Sequence, residues 1–179
     1  MNLYKFHSKP ESMEHYEFHC DTVVEVIWSN YENNPVELKK REEAIAKNSE
    51  YACVYAKEIL NDRFPLGEEA IAKDKHCAYY YATDILHGRF PLGEEAIAND
   101  SRYAYYYAID ILHGRFPLGE EAIAKVPYYA YHYAIDILRG RFPLGEEAIS
   151  KDSVYANWYA KEVIKDIGQS MGRHTNEFI

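Results

Sequence analysis

Apolar and polar positions follow a single template between residues 63 and 166, repeated four times with a period of 26 residues. Each copy opens on Arg-Phe-Pro-Leu-Gly-Glu-Glu-Ala-Ile, beginning at Arg63, Arg89, Arg115 and Arg141. A degenerate copy at 37–62 keeps EEAIAK and a Tyr-Ala pair but lacks RFPLG. Counting positions 1 to 26 from each arginine, apolar residues recur at 16, 19, 20, 23 and 24. These are Ala78, Tyr81, Ala82, Ile85 and Leu86 in one copy and Ala104, Tyr107, Ala108, Ile111 and Leu112 in the next. That is the i, i+3, i+4, i+7, i+8 spacing of a helix with one buried stripe, and its alanines allow close helix approach. The spacing predicts a helix over positions 14 to 25.

A shorter helix precedes it. Pro65, Pro91, Pro117 and Pro143 suit a first helical turn, and the two glutamates that follow each complement the positive end of the helix dipole. The expected length is eight to ten residues. Asp74, Asp100 and Asp152 are N-cap candidates for the longer helix, and Pro127 takes the first helical position in the unit that lacks the aspartate. Gly88, Gly114 and Gly140 are expected to supply a left-handed stop.

A two-helix unit of this size cannot bury its own apolar face, so neighbouring units must stack. The predicted fold class is therefore all-α, an α-solenoid of two-helix repeats. Its organisation is an N-terminal capping segment at 1–36, an array at 37–166 and a short tail at 167–179. The array has five units: 37–62, 63–88, 89–114, 115–140 and 141–166, called units 1 to 5 below.

Positions 14, 17, 18, 21 and 25 differ among copies that are otherwise nearly identical, and a helical wheel places them on one side. This side carries His76, Tyr79, Tyr80, Thr83 and His87, then Arg102, Tyr105, Tyr106, Ile109 and His113. It continues through Tyr128, Tyr131, His132, Ile135 and Arg139 to Val154, Asn157, Trp158, Lys161 and Lys165. In unit 1 the same positions hold Glu50, Cys53, Val54, Lys57 and Asn61. A solvent face that drifts favours Lys, Glu, Ser and Gln, whereas Tyr, Trp and Arg dominate binding hot spots. The expected partner-binding set is His76, Tyr79, Tyr80, Arg102, Tyr105, Tyr106, Ile109, Tyr128, Tyr131, His132, Ile135 and Trp158. Its expected anchors are Tyr80, Tyr105, Tyr106, Tyr131, His132 and Trp158.

Composition narrows the partner. Twenty basic against 29 acidic residues give a net charge of −9, which argues against a general duplex-binding protein held by phosphate contacts. Three cysteines, widely spaced and without a CxxC pair, indicate neither a disulfide framework nor a zinc knuckle and fit reduced thiols in a cytosol. No leader-like apolar segment opens the chain and no stretch is long and apolar enough to span a bilayer, so a cytoplasmic protein without membrane association is expected.

The candidates for chemistry have simpler explanations. The acid at position 22 and the His, Arg or Lys at position 25 read as an i, i+3 ion pair beside the helix C-terminus. His15, His19 and Cys20 have i, i+4 metal spacing but lack a third zincin ligand. The pairs Glu68 and Glu69, Glu94 and Glu95, Glu120 and Glu121, and Glu146 and Glu147 form a carboxylate ladder that serves the dipole and pairs with the repeat arginine. As an alternative, that ladder imitates a row of phosphates. Hydrolase, nucleotide-binding and metalloprotease motifs are missing from the sequence, so neither an enzyme nor a cofactor or metal is expected.

The phrases RFPLGEEAIA and YAYYYAIDILHGRFP resemble a short helical repeat of uncharacterised proteins from bacteriophages and large DNA viruses, over residues 37–166. The resemblance implies a viral source, a host protein as partner, and inhibition of a host defence system as the effect. A single-stranded nucleic acid stacking on the tyrosines, with Arg102, Arg139, Lys161 and Lys165 on the phosphates, is the competing expectation. Pairing of two arrays through the same ridge stays open.

Overall fold

The computed structural model describes residues 35–164, and among these every regular element is helical. The expected caps 1–36 and 167–179, and His15, His19 and Cys20, lie outside the described residues, apart from Pro35 and Val36 at the start of the helix Pro35–Ile45. Units stack as the repeat predicts: the second helix of each packs on the first helix of the next and on the next second helix.

In unit 3 the first helix is a 3-10 turn, Pro91–Gly93, running into Glu94–Ala98. The second is Ser101–Tyr107, continued by a π-helical stretch, Ala108–Leu112. Asp74, Asp100 and Asp152 cap their helices by accepting backbone N–H bonds, Asp74 from Cys77 at 2.8 Å. Val126 offers no side-chain cap, and Pro127 fills the first helical position with a residue that has no N–H to satisfy.

The RFPLG phrase is explained by one packing motif. The phenylalanine at position 2 and the isoleucine at position 9 are buried in units 2 to 5. The tyrosine at position 19 is fully buried in Tyr81, Tyr107 and Tyr133. Its hydroxyl donates to the first glutamate of its own unit and accepts from the phenylalanine amide: Tyr81 to Glu68 at 2.9 Å, and Phe64 N–H to Tyr81 at 2.8 Å. Arg63 closes the network on Glu68 through both Nε and an Nη. The same bonds recur around Tyr107, Tyr133 and Tyr159. A buried hydroxyl, carboxylate and amide thereby satisfy one another, which a buried polar group needs in order not to destabilise the fold.

Glycine at position 5 is required by contact between units. A Cβ on Gly119 would fall 2.7 Å from the Cβ of Ala104 in the preceding unit and 2.7 Å from Cδ1 of Phe116. Gly67, Gly93 and Gly145 stand in the same relation to Ala52, Ala78 and Ala130. Small residues on both sides of the boundary let the backbone of one turn touch the helix before it.

The stop at the end of the second helix differs from the expected one. Gly88, Gly114 and Gly140 have no positive φ; the left-handed residues are His87, His113 and Arg139, with Asn61 in unit 1, at φ 46 to 50°. The wider π turn sends the amides of both His87 and Gly88 to the Ala82 carbonyl, so the reversal falls one residue earlier than an α-helical count places it. His87 and His113 then hold the last turn by donating from Nδ1 to the carbonyl four residues back, at 2.8 Å.

Candidate interaction face

Positions 17 and 18 are adjacent in sequence but meet different surroundings. Tyr79, Tyr105 and Tyr131, at position 17, turn into the boundary with the following unit. Their rings lie 5.5, 5.6 and 5.7 Å from those of Tyr103, Tyr129 and Tyr155, at position 15 of that unit. Their hydroxyls donate to Asp110, Asp136 and Glu162, the acids at position 22, each 31 residues further along the chain. Tyr105 and Tyr131 retain only 6% exposure, so these two expected anchors are buried in the unit interface and not on the open face. A wheel drawn for one helix marks the stripe facing its own unit; in a stacked array the next unit covers a second stripe.

This arrangement also replaces the expected ion pair between positions 22 and 25. Asp110 and Asp136 accept from the tyrosine of the preceding unit, and Asp84, where position 17 of unit 1 is Cys53, takes Lys57 at 2.7 Å instead. His87 and His113 are turned away onto backbone carbonyls. Lys165 lies outside the described residues. Burial and the hydrogen bond to Asp136 raise the Tyr105 phenol well above its ordinary range, and burial pushes that of Tyr131 up to about 12.

What stays open is the row at positions 14 and 18. His76, Tyr80, Tyr106 and His132 are half-buried and Arg102 is exposed. Tyr128 is 40% and Trp158 is 42% exposed. Ile109 and Ile135 flank the row, half-buried. In units 3 to 5 the rings form a connected network: Tyr106 touches Tyr105 at 5.3 Å, Tyr105 touches Tyr129, and Tyr129 touches Tyr128 at 4.9 Å. Tyr128 lies 4.5 Å from His132, which leads through Tyr131 to Trp158. A second cluster joins His76, Tyr79, Tyr80 and Tyr103, with the Arg102 guanidinium 5.8 Å above the Tyr103 ring. The exposed rings are thus held by edge and tilted contacts to rings that are themselves fixed by the stacking, and a rigid aromatic surface loses little entropy on binding.

No family model, curated protein or solved structure matches this chain.

The carboxylate ladder separates into two rows. Glu68 and Glu120 are buried and Glu94 and Glu146 half-buried, all engaged by the arginine and tyrosine of their own units. Only the second row, Glu69, Glu95, Glu121 and Glu147, is exposed. Arg89 and Arg141 hold the Glu94 and Glu146 carboxyls below the usual carboxylate range.

Two features escaped the sequence reading. The position-15 tyrosines Tyr103, Tyr129 and Tyr155 belong to the aromatic network; tyrosine at this position in four of the five units was the available signal. Leu66, Leu92, Leu118 and Leu144 are 52 to 60% exposed, an apolar row at a position identical in four copies. Leu118 and Leu144 border notches between successive RFPLG turns, one of them lined by Ile137, Leu138, Phe142 and Leu144. No helix among the described residues is long and apolar enough to cross a membrane.

Proposed function

We propose that this chain is a non-enzymatic binding protein whose protein partner docks on the open aromatic row of the second helices. The observation that supports this most is the ring network of units 3 to 5, where Tyr128 and Trp158 stand about 40% exposed on rings locked into the unit boundaries. Aromatic side chains that are both exposed and preorganised are the usual centres of protein interfaces. Arg102, Tyr106 and His132 complete a surface with an apolar middle and polar edges. On the likeness of the repeat to those of bacteriophages and large DNA viruses, the partner is a host protein and the outcome of binding is inhibition of a host defence.

Two alternatives are weaker. A nucleic-acid mimic needs the full ladder of carboxylates, and half of it is engaged inside the units. A single-stranded nucleic acid needs a basic track, whereas this acidic chain presents Arg102, Arg139 and Lys161 on separate units. The test compares the wild-type chain with Tyr128→Ala/Trp158→Ala and with Glu95→Gln/Glu121→Gln, using as probe a host protein that co-purifies stoichiometrically. The reading expects the aromatic double variant to lose the complex and the glutamine variant to keep it, both retaining wild-type helicity. Binding lost with the glutamates but kept without the aromatics overturns it. So does a preparation that retains only single-stranded nucleic acid with steep salt dependence.

A further inference from the structure

At three of the four boundaries between units, position 17 of one unit and position 15 of the next hold a tyrosine pair: Tyr79 with Tyr103, Tyr105 with Tyr129, Tyr131 with Tyr155. At the remaining boundary, between units 1 and 2, both members are cysteine: Cys53 and Cys77. The two positions depart from the template together, as partners in one contact.

The surroundings depart with them. The Cys53 thiol of unit 1 lies 3.9 Å from the Cys77 carbonyl oxygen of unit 2. Ligand atoms of Asp74, His76 and Cys77 all lie within 4.8 Å of one another. Unit 3 holds Arg102 and Tyr103 where unit 2 holds His76 and Cys77, so this combination of donors arises once in the otherwise repeated sequence. Asp74 already spends one oxygen on the Cys77 amide, which fixes its carboxylate beside the thiol and leaves the other oxygen available. Cys77 is buried and Cys53 half-buried, so the sulfurs sit where apolar packing excludes most water.

We propose that Cys53, Cys77, His76 and Asp74 form a tetrahedral site for a zinc-type transition metal, bridging the degenerate first unit and the first full one. Two thiolates, one imidazole and one carboxylate are a donor set that zinc accepts, with Zn–S near 2.3 Å and Zn–N and Zn–O near 2.0–2.2 Å. Asp74, His76 and Cys77 supply the clustered donors, and the Cys53 side chain must swing in from the preceding unit to complete the set. Binding releases the thiol protons and ties the second helix of unit 1 to that of unit 2, at the boundary that lacks both the tyrosine pair and its hydroxyl-to-acid bond. The site shares His76 with the open aromatic row but none of the rings of units 3 to 5 on which the partner-binding proposal chiefly rests.

The test uses the full-length chain under reductant and Co²⁺ as a spectroscopic probe. Wild type and Cys20→Ser are expected to bind one Co²⁺ per chain with the intense absorption of tetrahedral cobalt thiolate, bleached on adding Zn²⁺. His76→Arg, which installs the residue found at this position in unit 3, weakens binding by about tenfold or more. Cys53→Tyr/Cys77→Tyr restores the tyrosine pair of the other boundaries and abolishes the cobalt spectrum. Zn²⁺ raises the melting temperature of wild type and leaves that of the double variant unchanged. If the double variant loses helicity, His76→Arg decides the matter. The proposal is overturned if wild type shows no thiolate–cobalt absorption at equimolar metal, if the absorption survives in a folded double variant, or if His76→Arg binds Co²⁺ as tightly as wild type. It is equally overturned if the signal vanishes with Cys20→Ser, or if Cys53 and Cys77 form a disulfide in the reduced preparation.

Discussion

The hydroxyl of Tyr105 donates to the carboxylate of Asp136 at 2.7 Å, joining residues 31 apart across the boundary between units 3 and 4. Tyr105→Phe keeps the ring packing and removes only this bond. Because the Asp136 side chain is 40% exposed and can turn to water, the expected loss is about 1 kcal/mol, at the low end for a bond to a charged group. Urea unfolding of the two proteins measures it, and a partner-binding assay should find the variant unimpaired.

Two glycines five residues apart, on either side of the boundary between units 3 and 4, should respond oppositely to alanine. Gly119→Ala drives a methyl group to 2.7 Å from Ala104 and from Phe116, an overpacking expected to cost about 1–3 kcal/mol. Gly114→Ala places its methyl no closer than 3.7 Å to any neighbour, at a residue whose φ is not positive. It should be neutral, or stabilise by about 0.4–1 kcal/mol by restricting the unfolded chain. Denaturant midpoints of the pair check both signs.

The left-handed residues make a third contrast. Arg139, at φ 50°, carries a strain of about 1–2 kcal/mol, while glycine there adds an unfolded-state entropy cost of about 0.5–1 kcal/mol. Arg139→Gly is therefore expected to raise stability by about 0.5 kcal/mol. His113→Gly should gain less or lose stability, since it also removes the Nδ1 bond to the Ile109 carbonyl. Thermal melts of the two variants separate the effects.

Stability should fall at both ends of the pH scale for different reasons. Arginine neighbours depress the folded-state Glu94 and Glu146 carboxyls, so the unfolded chain takes up protons first on acidification. Their contribution is complete above the ordinary glutamate value of about 4.3 and disappears as pH falls through the depressed folded value. Burial raises Tyr81, Tyr107 and Tyr133 to about 12, so the folded chain holds their protons longer than the unfolded one. That contribution is complete below about pH 10 and disappears as pH rises from about 10 to 12. Urea midpoints across the pH range, with tyrosinate absorbance followed in parallel, test both limbs.

Much of the architecture was legible in the sequence because its signals are local. Asp100 as a cap, Pro127 as a first helical residue and Tyr107 in the buried stripe each follow from spacing within one unit. What the sequence did not disclose lies between units. Tyr105 and Trp158 occupy neighbouring positions of the template, yet one is buried by a helix 26 residues on and the other is open; a wheel for an isolated helix treats them alike. The reversal at His113 escaped because glycine is the ordinary left-handed residue and the π turn shifts the stop by one. Cys53 and Cys77 looked unrelated because each holds half of a pair whose rule becomes visible only when the tyrosine pairs of the other boundaries are superposed on it.

Contact between the glycine of one turn and the alanine of the preceding helix, repeated wherever RFPLG follows a full helix, makes the junctions interchangeable. Any cut at Arg63, Arg89, Arg115 or Arg141 leaves matching ends. The array can therefore gain or lose whole 26-residue cassettes by in-frame duplication or deletion without a new junction having to be invented. The length of the array is set by copy number, and the variety of its open face by the few side chains in which the cassettes differ.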